Sequence, residues 1–142
     1  VVAVEPVPRD ETMRYGIVEV KAIEERIGKM HSIVEKPHPD VAPSNLGVVG
    51  RYILPGEIIN ILEQTERGAG GEIQLTDAIA SLLDRQQVLA YEFAGTRYDC
   101  GAKLGYLEAT IDYALKHPEL SRDFGDYLRA RVGRLDAGDA NG

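Results

Sequence analysis

Residues 45–94, NLGVVGRYILPGEIINILEQTERGAGGEIQLTDAIASLLDRQQVLAYEFA, contain the alternation that decides the fold. The stretch opens on Asn45–Leu54, where Val48, Val49, Tyr52 and Ile53 supply the β-branched and aromatic side chains of a strand. Pro55 then suits the first turn of a helix, where a missing N–H costs nothing, and Ile58, Ile59 and Leu62 give that helix an apolar face. After a glycine-rich break at 65–71, Leu75, Ala78, Ile79, Leu82 and Leu83 fall at i, i+3, i+4, i+7 and i+8, the clearest helical period in the chain. Val88–Ala94 returns to strand. Strand, helix, helix, strand is the order of a sheet covered by helices, so this segment predicts an α/β domain.

Upstream, Val1–Val7 is β-branched and apolar and reads as a buried strand stopped by Pro6 and Pro8. Arg9–Arg14 is a polar loop. Tyr15–Glu25 and Lys29–Lys36 are two further strands, with Gly28 as the turn of a hairpin between them. Pro37, Pro39 and Pro43 make 37–44 a loop. Downstream of Gly95-Thr96, Leu104, Leu107, Ile111, Ala114 and Leu115 mark a helix that Pro118 ends. Leu120, Phe124, Tyr127, Leu128 and Val132 mark a last amphipathic helix, and 136–142 is a frayed tail. Strands first, then strands interleaved with helices, predict an α/β fold with a mixed sheet, a β-hairpin and C-terminal helices.

Composition bounds the function. The chain has 142 residues, the length of one domain or of a piece of a larger one. Hydrophobic residues at 44% and charged residues at 27% allow an ordinary packed core. The net charge of −7 argues against a nucleic-acid partner, which calls for a basic face. It leaves a nucleotide ligand open, because that needs only a local cation or two. No apolar run approaches the ~18 residues of a membrane span, so no membrane partner is expected. Cys100 is the single cysteine, which rules out an intrachain disulfide and fits a reduced, cytoplasmic protein. The chain opens without methionine on a strand already in progress, so the natural protein is expected to start earlier.

Several places carry side chains suited to chemistry. In Glu35-Lys36-Pro37 the carboxylate would accept sugar hydroxyl protons and the ammonium would face a phosphate. Adjacent strand residues point to opposite faces, so the two reach one ligand only at a strand end, where Pro37 favours extended backbone at Lys36. A solvated hairpin edge reads equally well. Gly16 marks either a close approach to ligand or a bend after the loop. Gly47 and Gly50 mark ligand approach or tight strand packing. Gly70 and Gly71 precede a helix, yet no P-loop pattern is present and Glu72 would oppose an anion there. Asp99, between a short segment and a helix, is a magnesium ligand or a helix N-cap. Cys100 has no histidine placed to activate it, and His31, His38 and His117 show no metal-ligand spacing.

The order of these motifs is more specific than any one of them. Tyr-Gly-Ile-Val-Glu (15–19), Val-Glu-Lys-Pro (34–37), Pro-Ser-Asn-Leu-Gly-Val-Val-Gly-Arg-Tyr (43–52), Gly-Ala-Gly-Gly-Glu-Ile-Gln-Leu-Thr-Asp-Ala-Ile (68–79) and Arg-Tyr-Asp-Cys-Gly (97–101) follow one another. Together they resemble the second half of the bacterial UTP–glucose-1-phosphate uridylyltransferases, also called UDP-glucose pyrophosphorylases, from about Val1 to Leu120. The resemblance implies a Rossmann-like nucleotidyltransferase fold and UMP transfer from UTP to glucose 1-phosphate, giving UDP-glucose and pyrophosphate. It implies that Glu35 holds glucose hydroxyls, that Lys36 neutralises the sugar phosphate and that Gly16 and Val48 meet the glucose. Asp99 would be one of two aspartates binding Mg²⁺, so Lys36 and Asp99 are the expected catalytic pair. Residues 1–118 would form the sugar-phosphate side, and the helix at 119–135 a contact in a homo-oligomer. The family's Gly-x-Gly-Thr-Arg nucleotide loop and its other metal aspartate do not occur in this sequence, so the chain alone is expected to be inactive. Ala102 departs from the polar residue expected after Tyr-Asp-Cys-Gly. Two alternatives stand beside this reading: a non-catalytic sugar-nucleotide-binding or assembly module, and a related thymidylyltransferase. The latter shares Glu-Lys-Pro and a later Asp-x-Gly, but not the Gln-Leu-Thr-Asp or Tyr-Asp-Cys-Gly wording.

Overall fold

Alternation at the start of the chain turns Val2 and Val4 wholly inward and leaves Ala3 and Glu5 partly exposed. A computed structural model describes residues 1–68 and 71–136 and makes this segment strand β1 (Val2–Pro6). The expected tail lies outside the described residues from 137 onward, as do Ala69 and Gly70. Strand β1 pairs antiparallel with β4 (Leu46–Tyr52) on one side and parallel with β5 (Leu89–Glu92) on the other. Strands β2 (Gly16–Glu24) and β3 (Ile27–Glu35) form a long antiparallel hairpin. Near its base β2 also pairs with β4, through Ile17 opposite Gly47 and Val18 opposite Leu46, and the first residues of β3 pair with β5. The sheet is therefore mixed, as the order of patterns predicts.

Helices α1 (Glu57–Gln64) and α2 (Leu75–Leu83) lie on the connection from β4 to β5. Helix α2 packs on β3 and on α1. Its apolar stripe puts Ala78, Ile79 and Leu82 out of solvent, in one cluster with Val2, Val4, Val18, Met30, Ile33 and Val48 from the sheet and Ile58 and Ile61 from α1. A Leu82→Ala change in such a site costs roughly 2–5 kcal/mol.

By internal contacts the chain divides into two compact units, Val1–Ala94 and Gly95–Gly142. The second contains α3 (Lys103–Lys116) and α4 (Ser121–Asp136), which pack together. Helix α3 stops just before Pro118, as expected. No helix among the described residues is long and apolar enough to cross a membrane.

The structure corrects several local expectations. Gly28 is not the hairpin turn: it sits inside β3 opposite Ala22, and the turn falls between Glu24 and Ile27. Arg9–Arg14 is a 3₁₀ helix, not an irregular loop, with its Glu11 N–H bonded to the Pro8 carbonyl. Pro55 precedes α1, whose N-cap is Gly56. Ile61, not Ile59, joins Ile58 on the buried face of α1, because Ile58 and Ile61 are one turn apart while Ile59 is turned to solvent.

Candidate functional site

The hairpin register places the base of the site. Gly16, the first residue of β2, lies directly opposite Glu35, the last residue of β3. An ideal Cβ at Gly16 would stand 2.7 Å from Cγ2 of Thr76, 3.3 Å from Oε2 of Glu35 and 3.7 Å from Cγ2 of Val48. Four residues far apart in sequence thus converge on one spot. Three of them, Gly16, Glu35 and Val48, are expected site residues. The bend alternative at Gly16 does not hold, since it is the first residue of β2, and the Thr76 methyl stands where a side chain there would be. Val48 is buried in the core beneath this spot. Gly47 follows the packing alternative, since a Cβ there would meet the Val7 side chain at 2.9 Å.

Glu35 is held from two sides. The Thr76 hydroxyl donates to its Oε2 at 3.0 Å, and Nζ of Lys36 lies 3.6 Å from its Oε1. The Lys36 side chain is 54% exposed, so this ion pair adds little stability and leaves the ammonium open to a solvent-side anion. Opposite directions for adjacent strand side chains would forbid such a pair, and Lys36 escapes that rule by leaving the strand. Its φ is 47°, the one positive value at a non-glycine among the described residues. The extended backbone expected before Pro37 is therefore not formed. Hydrogen bonds explain the override. The Lys36 N–H donates to the Tyr15 carbonyl at 2.9 Å, and the fully buried Thr12 places its hydroxyl 3.1 Å from the Pro37 carbonyl. These two contacts pin the chain at the peptide before Lys36 and again at the peptide after Pro37, and so fix where the Lys36 side chain emerges.

Tyr52, at the end of β4, also senses this carboxylate. Burial and the negative charge of Glu35 together raise its phenol above the ordinary value. Tyr52 and Thr76 were not expected as site residues. Thr76 had a legible signal: it shares a helix face with Ile79 and Leu83, so a hydroxyl sits on a stripe that otherwise faces the core.

Asp99 belongs to the second unit. Its N-cap alternative does not hold, because α3 begins at Lys103 with Ala102 as N-cap. Instead Oδ1 of Asp99 accepts the Gly101 N–H at 3.1 Å, and the Asp99 carbonyl accepts the Ala102 N–H at 3.0 Å, closing a tight turn. The turn is anchored to α3 on both sides. The Tyr98 hydroxyl donates to Asp112, its ring lies 6.1 Å from that of Tyr113, and the Asp99 backbone lies against Gly105. That hydrogen bond is the main reason the Tyr98 phenol is raised. Of the glycines before α2, Gly71 lies ahead of the N-cap Gln74, and Gly70 is outside the described residues.

A divalent ion would find one suitable oxygen donor at Asp99. Magnesium commonly takes one or two carboxylates and completes its shell with phosphate oxygens and water, so the donor fits. Among the described residues no group of three or more His, Cys, Asp or Glu could hold a metal, so this chain would supply part of a shell at most.

Residues 1–116 match the family described as Nucleotidyl transferase. The chain belongs to that family. It is 48% identical over 136 residues to a UTP–glucose-1-phosphate uridylyltransferase of Staphylococcus epidermidis, covering 96% of this chain and 46% of that protein. A solved UDP-glucose pyrophosphorylase complexed with UDP-glucose superposes with a TM-score of 0.77 at 44% identity, over 82% of this chain and 44% of the other. A UTP-bound relative from Acinetobacter baumannii gives a TM-score of 0.77 at 47% identity, over 89% of this chain and 44% of the other. The chain therefore spans a little under half the length of the nucleotidyl transferases it matches.

Proposed function

We propose that the full gene product transfers UMP from UTP to glucose 1-phosphate, and that this chain carries the sugar-phosphate side of the site. The observation that carries the reading is Glu35, a carboxylate fixed at the end of a hairpin with the Lys36 ammonium beside it. A fixed carboxylate suits sugar hydroxyls, and a half-exposed ammonium suits the phosphate on the same sugar. Similarity to enzymes named for this reaction supports the choice of base and sugar.

In this reading a phosphate oxygen of glucose 1-phosphate forms a bond to the α-phosphorus of UTP. The bond from that phosphorus to the bridging oxygen breaks, and pyrophosphate leaves with the electron pair. Placement and charge neutralisation account for most of the acceleration in such a displacement. Gly16 and Val48 would bound the sugar pocket, Glu35 would orient the sugar through its hydroxyls, and Lys36 would draw charge from its phosphate. Asp99 would hold Mg²⁺, which when bound neutralises phosphate charge. The apolar side chains left exposed on α3 and α4, among them Leu107, Tyr113 and Val132, support a contact in a homo-oligomer, which light scattering on the purified product tests.

The test is UDP-glucose formation by the full gene product. Lys36→Ala and Asp99→Asn should each lower the rate by about a hundredfold or more with the fold intact. Near-normal rates in both would end the assignment. A preference for dTTP over UTP would favour the thymidylyltransferase alternative, and the lack of a Gly-x-Gly-Thr-Arg loop anywhere in the gene product would favour the non-catalytic module.

A further inference from the structure

We infer that Thr76 is a positioning residue for Glu35, setting the direction in which that carboxylate meets the sugar. The inference rests on the sugar-binding reading of Glu35 given above.

Helical hydroxyls ordinarily bond back to the carbonyl four residues earlier. Ser81 does so to Asp77 at 3.2 Å and Thr110 to Tyr106 at 2.8 Å, and Thr65, which caps α1, bonds to Ile61 at 2.8 Å. Thr76 sits in the first turn of α2, where the carbonyl four residues back lies outside the helix, and its hydroxyl crosses to the sheet, onto Oε2 of Glu35. The other buried threonine, Thr12, places its hydroxyl against backbone carbonyls and so serves the loop. Among the buried hydroxyls of the described residues, Thr76 is thus the one directed at a carboxylate.

Its rotamer is fixed as well. The Thr76 methyl fills the space beside Gly16 that a side chain there would occupy. A β-branched residue has few χ1 choices, so seating the methyl aims the hydroxyl. Glu35 then has Oε2 tied to α2 and Oε1 facing Lys36. A carboxylate offers about four acceptor positions, so one threonine hydroxyl leaves room for sugar hydroxyls. Arranging the side chain before the ligand arrives spares the ordering cost of a mobile glutamate at binding.

The experiment uses the full gene product. Thr76→Val keeps the shape and removes the hydroxyl, while Thr76→Ser keeps the hydroxyl and removes the methyl. Thr76→Val should raise KM for glucose 1-phosphate and weaken calorimetric UDP-glucose binding by about tenfold, the size of one lost hydrogen bond to a charged group, with a smaller change in kcat. Thr76→Ser should stay within about threefold of the parent, since its hydrogen bond persists. In a Glu35→Ala background, Thr76→Val should have no further effect on KM. Glucose 1-phosphates lacking one hydroxyl each should identify the hydroxyl through which the loss acts, because the Thr76→Val penalty vanishes for that analogue. If Thr76→Val fails to fold by circular dichroism, Thr76→Ala removes the same hydroxyl without the added methyl and carries the same expectations. A KM unchanged by loss of the hydroxyl, or a full effect that persists without Glu35, overturns the positioning role while leaving the sugar-site reading in place. A parent protein that binds neither glucose 1-phosphate nor UDP-glucose overturns the sugar-site reading itself, and the positioning role with it.

Discussion

The methyl carbon of Thr76 occupies the space a side chain would need at Gly16, 2.7 Å from where a Cβ would stand. Gly16→Ala must therefore push α2 off the hairpin or rotate Thr76 away from Glu35. The variant should lose about 1–3 kcal/mol of stability, the usual cost of overpacking, read from urea denaturation. Adding Thr76→Ser, which removes the offending methyl, should restore most of it. A double variant no more stable than Gly16→Ala alone would show that the clash lies elsewhere.

The backbone of Lys36 yields a second prediction. Its φ of 47° suits glycine far better than a residue with a Cβ. Lys36→Gly should be more stable than Lys36→Ala by about 1 kcal/mol, from relief of the left-handed conformation, although glycine also gains freedom in the unfolded chain. Both variants lose the ammonium, so both should show the same weakened use of glucose 1-phosphate. Equal urea midpoints would mean that the relief only matches glycine's extra freedom in the unfolded chain.

Alkaline pH should reach the site through Tyr52. Burial first, and then the charge of Glu35, raise its phenol, so the folded chain holds this proton more tightly than the unfolded chain does. The matching stability is present in full below the ordinary phenol value near 10 and is lost as pH rises through the folded value. Tyr52→Phe should blunt that alkaline loss. Glu35→Gln should move the Tyr52 titration, followed by tyrosinate absorbance with the Tyr52→Phe curve subtracted, part of the way back down. The remainder stays because burial is the larger cause.

At Gly105 two effects of opposite sign compete. Alanine in a helix gains up to about 1 kcal/mol over glycine from propensity. Here its Cβ would collide with the Asp99 carbonyl oxygen, a backbone atom that cannot swing aside. The steric term should win. Gly105→Ala should be less stable than the parent, and should lower UDP-glucose formation by about tenfold or more through displacement of Asp99. A stabilised, fully active variant would refute the close approach.

The architecture was legible because it depends on periodicity. The stripe at Leu75, Ala78, Ile79, Leu82 and Leu83 and the paired runs on either side of Gly28 specify elements whose burial any α/β packing would reward. What sequence could not convey was set by contacts between distant residues. Pro37 argues for extended backbone at Lys36, and only the Tyr15 carbonyl and the Thr12 hydroxyl, brought close by folding, reverse that preference. Thr76 is forty-one positions from Glu35, and no local rule ties a helix's second residue to a strand's last. Gly28 misled because glycine marks turns in general, whereas here it stands within a ladder.

The hairpin also separates two tolerances. From Gly16–Glu35 through Glu19–Ser32 the pairing runs without a break, and both irregularities lie beyond it, toward the tip. The regular portion acts as a gauge: a slip of one residue there would turn Glu35 to the opposite face and take the carboxylate from Thr76. Toward the tip, a bulge can absorb an extra residue before the error reaches the gauge. Because Ile27–Lys29 stay laddered to β5, a change of length is absorbed at the turn between Glu24 and Ile27, while the Gly16–Glu35 end keeps its dimensions.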